Sequence, residues 1–136
     1  MKSLFFFATL VGLFFVSCND KTVSTDTTNS TSKNNDIRKC WTNSYEEATD
    51  GGPQIFRPCD YKEFPVSHYR LRFELNPDNV ASYLFLSPVD AHHMVPGTWS
   101  YDESSKALVI KDSTGVIAHT YQVVELAADK LVVTPK

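Results

Sequence analysis

Residues 68–75, HYRLRFEL, alternate without a break: Tyr69, Leu71, Phe73 and Leu75 fall on one face, and His68, Arg70, Arg72 and Glu74 on the other. A period of two held over eight residues predicts a strand with one buried face. Asn76-Pro77-Asp78-Asn79 follows as a turn, and VASYLFL at 80–86 predicts the returning strand of a hairpin. That second strand is apolar on both faces, so its outer side is expected to be covered. Pro96-Gly97 is expected to break the chain before a strand at 98–101. Turn sequences at 102–105, 112–115 and 127–130 then separate predicted strands at 106–111, 116–126 and 131–134. Nearer the start, 38–47 predicts a strand around Trp41 and Tyr45. A Gly51-Gly52-Pro53 break precedes a strand at 54–57, and PCDYKEFP at 58–65 reads as an ordered loop. No window carries an apolar stripe at helical spacing. Up to eight strands with turns every 8 to 12 residues predict an all-β antiparallel barrel or sandwich. Eight strands enclose either a side-chain core or one small ligand.

The first 36 residues follow a different pattern. Lys2 precedes an apolar run over residues 4–16, about 13 residues and short of the roughly 20 that span a bilayer as a helix. A charged start, a short apolar region and a small residue at its end predict a secretory signal peptide over 1–17. Phe15-Val16-Ser17-Cys18 resembles a bacterial lipobox, with Phe15 departing from the usual Leu. That resemblance implies cleavage before Cys18, acylation of Cys18 with chains such as palmitate, and attachment to the envelope, most simply the outer membrane on its periplasmic or surface side. Two or three acyl chains, at about 0.8 kcal/mol per buried methylene, hold a protein where one does not. Residues 19–36, NDKTVSTDTTNSTSKNND, offer almost nothing to bury and predict a disordered tether of roughly 24 Å reach. Asp26-Thr27-Thr28 resembles an O-glycosylation sequon of some Gram-negative bacteria, although an ordinary Thr-rich spacer explains it better. The folded domain is expected over 37–136.

Export changes the cysteine arithmetic. With Cys18 acylated, Cys40 and Cys59 remain as an even pair in an oxidising compartment. A bridge would close a loop of about 20 residues, worth on the order of 3 kcal/mol; two buried free thiols are the alternative. With Lys2 removed, the 13 basic residues become 12 against 16 acidic ones, a net charge near −4. That balance gives no basic face for nucleic acid, and a monomer is expected.

Gly97-Thr98-Trp99-Ser100-Tyr101, Leu108-Val109-Ile110, Gly115, Tyr121-Gln122-Val123 and Leu131-Val132-Val133 resemble the second half of small bacterial lipocalin-like domains. Trp41 stands where the opening strand of such domains carries its Trp, while Lys39 replaces the Gly of an opening Gly-x-Trp. The resemblance covers about 95 residues and implies an up-and-down β-barrel. It implies a ligand only weakly, since one fold serves many functions.

The chemistry-bearing residues are sparse. Asp90-Ala91-His92-His93 is the densest of the histidine groups, but no His-x-x-x-His or Cys-x-x-Cys spacing marks a closed zinc site. No metal and no other cofactor is therefore expected, and His68 and His119 stand apart. No nucleophile elbow or phosphate-cradling glycine loop is present, so no catalytic residue is named and an enzyme is not expected. Aromatic residues are the remaining signal. Tyr69, Leu71, Phe73, Phe85, Trp99 and Tyr121 are the candidates to line a cavity for a small, mainly apolar ligand. Packing into a core is the competing reading, favoured for Trp41, Phe73 and Trp99. Arg57, Arg70 and Arg72 would meet an anionic headgroup if they faced inward. The alternative function is a protein-interaction or enzyme-inhibitor module working through the 51–65 loop.

Overall fold

A computed structural model describes residues 36–136. The expected signal peptide, the expected acylation site Cys18 and the expected tether up to residue 35 lie outside the described residues. Eight strands form the domain: β1 (Cys40–Asn43), β2 (Gln54–Pro58), β3 (Arg72–Leu75), β4 (Val80–Phe85), β5 (His93–Asp102), β6 (Ala107–Asp112), β7 (Ile117–Leu126) and β8 (Leu131–Pro135). Two single-turn 3-10 segments, Tyr45–Glu47 and Pro77–Asn79, complete the regular structure. The strands close into an antiparallel barrel in the order β1-β2-β8-β7-β6-β5-β4-β3. Closure leaves no unpaired sheet edge.

Neighbours follow chain order from β3 to β8, as in an up-and-down barrel. The exception is the step from β2 to β3. β2 pairs with β8 (Ile55 opposite Val132), and β1 lies between β2 and β3. β2 and β3 therefore run the same way, and residues 59–71 must travel back along the barrel over β1. Thr42 carries the mark of this crossover. It alternates with inward-facing Trp41, so it faces out, yet it is only 6% exposed.

The crossover also explains where the expected strand at 68–75 stops short. β3 begins at Arg72 because β1, its partner, ends at Asn43; the last backbone bond between them is Asn43 N–H to Leu71 O at 2.8 Å. Tyr69, without a strand to pair with, is half exposed. The strand expected at 38–47 is likewise cut to β1, and Tyr45 lies in the following 3-10 turn.

β5 corrects another expectation, since it runs through Pro96-Gly97 without a break. Pro96 sits one residue beyond the last β6 pair, Gly97 opposite Asp112, where a missing N–H leaves no ladder bond unmade on that side. At Gly97 the neighbouring strand comes so close that a Cβ would stand 2.1 Å from the Lys111 carbonyl oxygen. The outer face of β4 is not fully covered either: Val80 and the following Leu86 stay exposed, while Leu84 is half-buried.

The turns follow the sequence. Asp112 Oδ1 accepts from Thr114 N–H and Val116 N–H, and Gly115 takes the left-handed backbone (φ 87°). Cys40 and Cys59 form a disulfide that ties the start of β1 to the end of β2.

Candidate functional site

A ligand-binding barrel needs room in its interior. Phe56 of β2, Phe73 of β3 and Tyr121 of β7 all point inward. β3 and β7 stand four places apart around the ring of eight, on opposite walls. Even so, the rings of Phe73 and Tyr121 stack with centroids 6.1 Å apart, and Phe56 lies 4.9 Å from Phe73. Side chains therefore meet across the axis. Trp41, Leu75, Leu108, Ile110, Leu131 and Val133 fill the layers around them, each almost fully buried. Burial pushes the Tyr121 phenol up and the His119 imidazole down; His119 stacks on Tyr121 with centroids 5.8 Å apart.

The six expected cavity-lining residues do not converge on one space. Phe73, Trp99 and Tyr121 are in the core, and Leu71 packs against its edge. Trp99 donates its indole N–H to Asn76 O at 2.9 Å, toward one end of the barrel. Tyr69 and Phe85 are exposed near the other end, Tyr69 against His92 and Phe85 against His93.

The two ends of the barrel differ. The described chain enters at the end holding the 76–79, 103–106 and 127–130 turns. There Ile37 is buried, its carbonyl accepts from the Trp41 indole at 2.8 Å, and Lys39 Nζ donates to Ala128 O. An open groove of about 850 Å³ at this entry end is lined by Arg38, Asp78, Asn79, Trp99, Tyr101 and Lys106 among others. Its lining is mostly polar, which suits an apolar ligand poorly.

The opposite end, the far rim, is built from the β1–β2 loop, the last part of the crossover and the β4–β5 loop. Arg70 holds it, and Arg57 braces the outer wall between the β1–β2 loop and the 127–130 turn. Arg70 donates to Asn43 O (2.8 Å), Pro65 O (3.0 Å) and the Glu46 carboxylate (2.9 Å), and its guanidinium lies over the rings of Tyr45 and Phe64. Arg57 donates to Glu47 (2.8 Å) and Asp129 O (2.9 Å) and covers the Tyr61 ring at 4.5 Å. These hydrogen bonds hold the Glu46 and Glu47 carboxyls below the ordinary glutamate range and raise both arginines. Arg72 is paired with Glu74 at 2.6 Å. All three arginines face away from the core and are committed to carboxylates, so they do not form the inward anion site considered above.

On this braced frame the rim displays Tyr45, Val66, Tyr69, Phe85, Leu86 and Val89, all exposed. It also holds a group that the sequence did not reveal. His68, Asp90 and His92 bring their side chains together, with Asp90 Oδ1 3.1 Å from His68 Nε2 and 3.2 Å from His92 Nε2. His93 turns away, its Nδ1 2.9 Å from Ala91 O.

Comparison with family models, with curated proteins and with solved structures returned no match. The fold rests on its own geometry: a small, all-β, closed eight-stranded barrel, compatible with a lipocalin-like architecture.

Proposed function

We propose that this chain is a lipid-anchored lipoprotein of the bacterial envelope that acts as a protein-interaction module through its far rim. The observation that carries this reading is the stacking of Phe73 on Tyr121 from opposite walls of the barrel. Side chains take up the volume in which a small apolar ligand would sit, which moves the argument from the interior to the loops. The crossover supports this: the disulfide at one end, Arg70 at the other and Arg57 of β2 against Tyr61 fix its shape before any partner arrives. Pre-ordered loops lose less conformational freedom on binding. The exposed aromatic side chains of the rim, Tyr45, Tyr69 and Phe85, are of the types enriched at interfaces, and Val66, Leu86 and Val89 add apolar area around them.

The position of the rim agrees with the anchor. The tether expected from Cys18 joins the barrel at Asp36, beside the entry groove. The rim is at the other end, the part of the barrel farthest from the point where the chain enters.

The test is affinity capture from envelope extracts with the full chain in detergent. Wild-type protein is expected to retain a defined partner that the Val66→Asp and Val89→Asp variants release and a Lys106→Ala variant in the entry groove keeps. Retention indifferent to the rim substitutions overturns the reading, as does an apolar small molecule bound in the native mass spectrum of the purified chain.

A further inference from the structure

We propose that His68, Asp90 and His92 form a binding site for a divalent transition-metal ion of the zinc–copper class. The donor atoms come from two segments: His68 from the crossover, Asp90 and His92 from the loop between β4 and β5. One ligand atom from each lies within 4.8 Å of the other two. In a tetrahedral site with bonds of about 2.0–2.1 Å, neighbouring donors stand about 3.3–3.4 Å apart. The two Asp90–histidine distances, 3.1 and 3.2 Å, already match such edges. Only the histidine–histidine edge has to close.

The local backbone presents the carboxylate. Asp90 adopts the left-handed conformation (φ 63°), one that aspartate tolerates better than most residues. Its N–H closes a turn onto Ser87 O at 3.2 Å, and Val89 N–H donates to Ser87 Oγ at 3.3 Å. The His92 ring meets the Tyr69 ring edge-on at 5.7 Å, which limits its rotation. Two imidazoles and one carboxylate select zinc, copper, nickel or cobalt over calcium or magnesium, which prefer all-oxygen shells. A fourth position faces solvent.

The same atoms also make a hydrogen-bonded triad without any ion, and the two states differ at Ser87. In the metal-free chain Ser87 N–H donates to His92 Nδ1 at 3.1 Å. A neutral His92 therefore carries its proton on Nε2 and gives it to Asp90. An ion on Nε2 requires that proton to move to Nδ1, which releases the Ser87 amide. Loading exchanges three hydrogen bonds, Ser87 to His92 and each histidine to Asp90, for three coordinate bonds; each Nε2 proton moves to Nδ1 of its own ring, with no net change in the protons on the rings. The ion then ties the crossover to the β4–β5 loop, whether or not the rim binds a protein.

The test is titration of the untagged, chelator-stripped full chain with zinc chloride by calorimetry, and with cobalt(II) by visible absorption. One equivalent of zinc is expected to bind, with a four-coordinate cobalt spectrum and a shift of the Ser87 amide resonance. His68→Ala, Asp90→Asn and His92→Gln are each expected to weaken binding roughly ten-fold or more, and His93→Gln to leave it unchanged. His68 and Asp90 are largely exposed, so unchanged thermal unfolding of these variants checks that the fold is intact. Absence of binding overturns the proposal. So does binding that survives in His68→Ala, or binding lost in His93→Gln. A chain that binds no zinc but keeps its rim-dependent partner removes the metal site and leaves the protein-binding reading standing.

Discussion

Gly97 is the position where one methyl group decides most. A Cβ there would be 2.1 Å from the Lys111 carbonyl oxygen and 3.1 Å from the Tyr83 ring, so backbone as well as side chain would have to move. Gly97→Ala is expected to destabilise the domain by about 1–3 kcal/mol, the usual range for overpacking, as read from urea unfolding. An equal midpoint for wild type and variant would contradict the packing of β5 on β6. At the barrel axis, Phe73→Ala removes a fully buried ring and is expected to cost about 3–5 kcal/mol. Single residues were unevenly legible in the sequence. Trp41, Phe73 and Trp99 proved to be core because each sits at an inward position of an alternating or resembling strand. Tyr69 shares the phase of Phe73 but lies past the end of the partner strand, which alternation alone does not reveal. Asp90 and His92 stood out together in the sequence, but their partner His68 was hidden because it lies 22 and 24 residues before them. One signal was present: continuing the register of the 76–79 hairpin, where Phe73 faces Tyr83, places His68 opposite Pro88, next to Asp90.

At the scale of elements, the crossover at 59–71 is the part the sequence left least determined. The PCDYKEFP stretch read correctly as an ordered loop. Its path over β1 depends on contacts between distant residues that no local pattern encodes: Arg70 with Glu46, and Arg57, itself held by Glu47, with the Tyr61 ring. Those contacts make its order depend on pH. The folded-state Glu46 and Glu47 values lie below the ordinary one because Arg70 and Arg57 hydrogen-bond the charged carboxylates. Their contribution is therefore complete above the unfolded value of about 4.3 and is lost as pH falls through the folded values. Local loosening of the crossover is expected below about pH 4, before the barrel strands respond. It is read from the ring resonances of Tyr45, Tyr61 and Phe64, which lie under the two guanidinium groups; simultaneous change everywhere would contradict this. Arg70→Ala is expected to produce the same local loosening at neutral pH. Reducing the Cys40–Cys59 bridge is expected to lower stability by on the order of 3 kcal/mol in the loop-entropy picture.

For the whole molecule, an all-β antiparallel fold of up to eight strands was legible from alternation and turn spacing, and the resemblance of the second half to lipocalin-like domains chose the barrel over the sandwich. The exchange of β1 and β2 was not, because nothing local distinguishes pairing of β2 with β3 from pairing of β2 with β8. That exchange has a functional consequence. It sends a long connection along the outside of the barrel and delivers His68 and Tyr69 to the rim beside the β4–β5 loop. The barrel itself is closed and filled, so the variable chemistry of the molecule is concentrated at its two ends. One end receives the chain from the expected anchor; the other displays a braced surface of aromatic and aliphatic side chains. The central claim is that this far rim is the working surface. Site-specific photo-crosslinking in the native cell tests it most directly, with a photoreactive residue placed in turn at Val66 and Val89 on the rim and at Val124 and Lys106, both lining the entry groove. A discrete adduct with the same envelope protein from Val66 and Val89, and none from Val124 or Lys106, is the predicted result. Adducts only from Val124 or Lys106, or none at the rim, would contradict it.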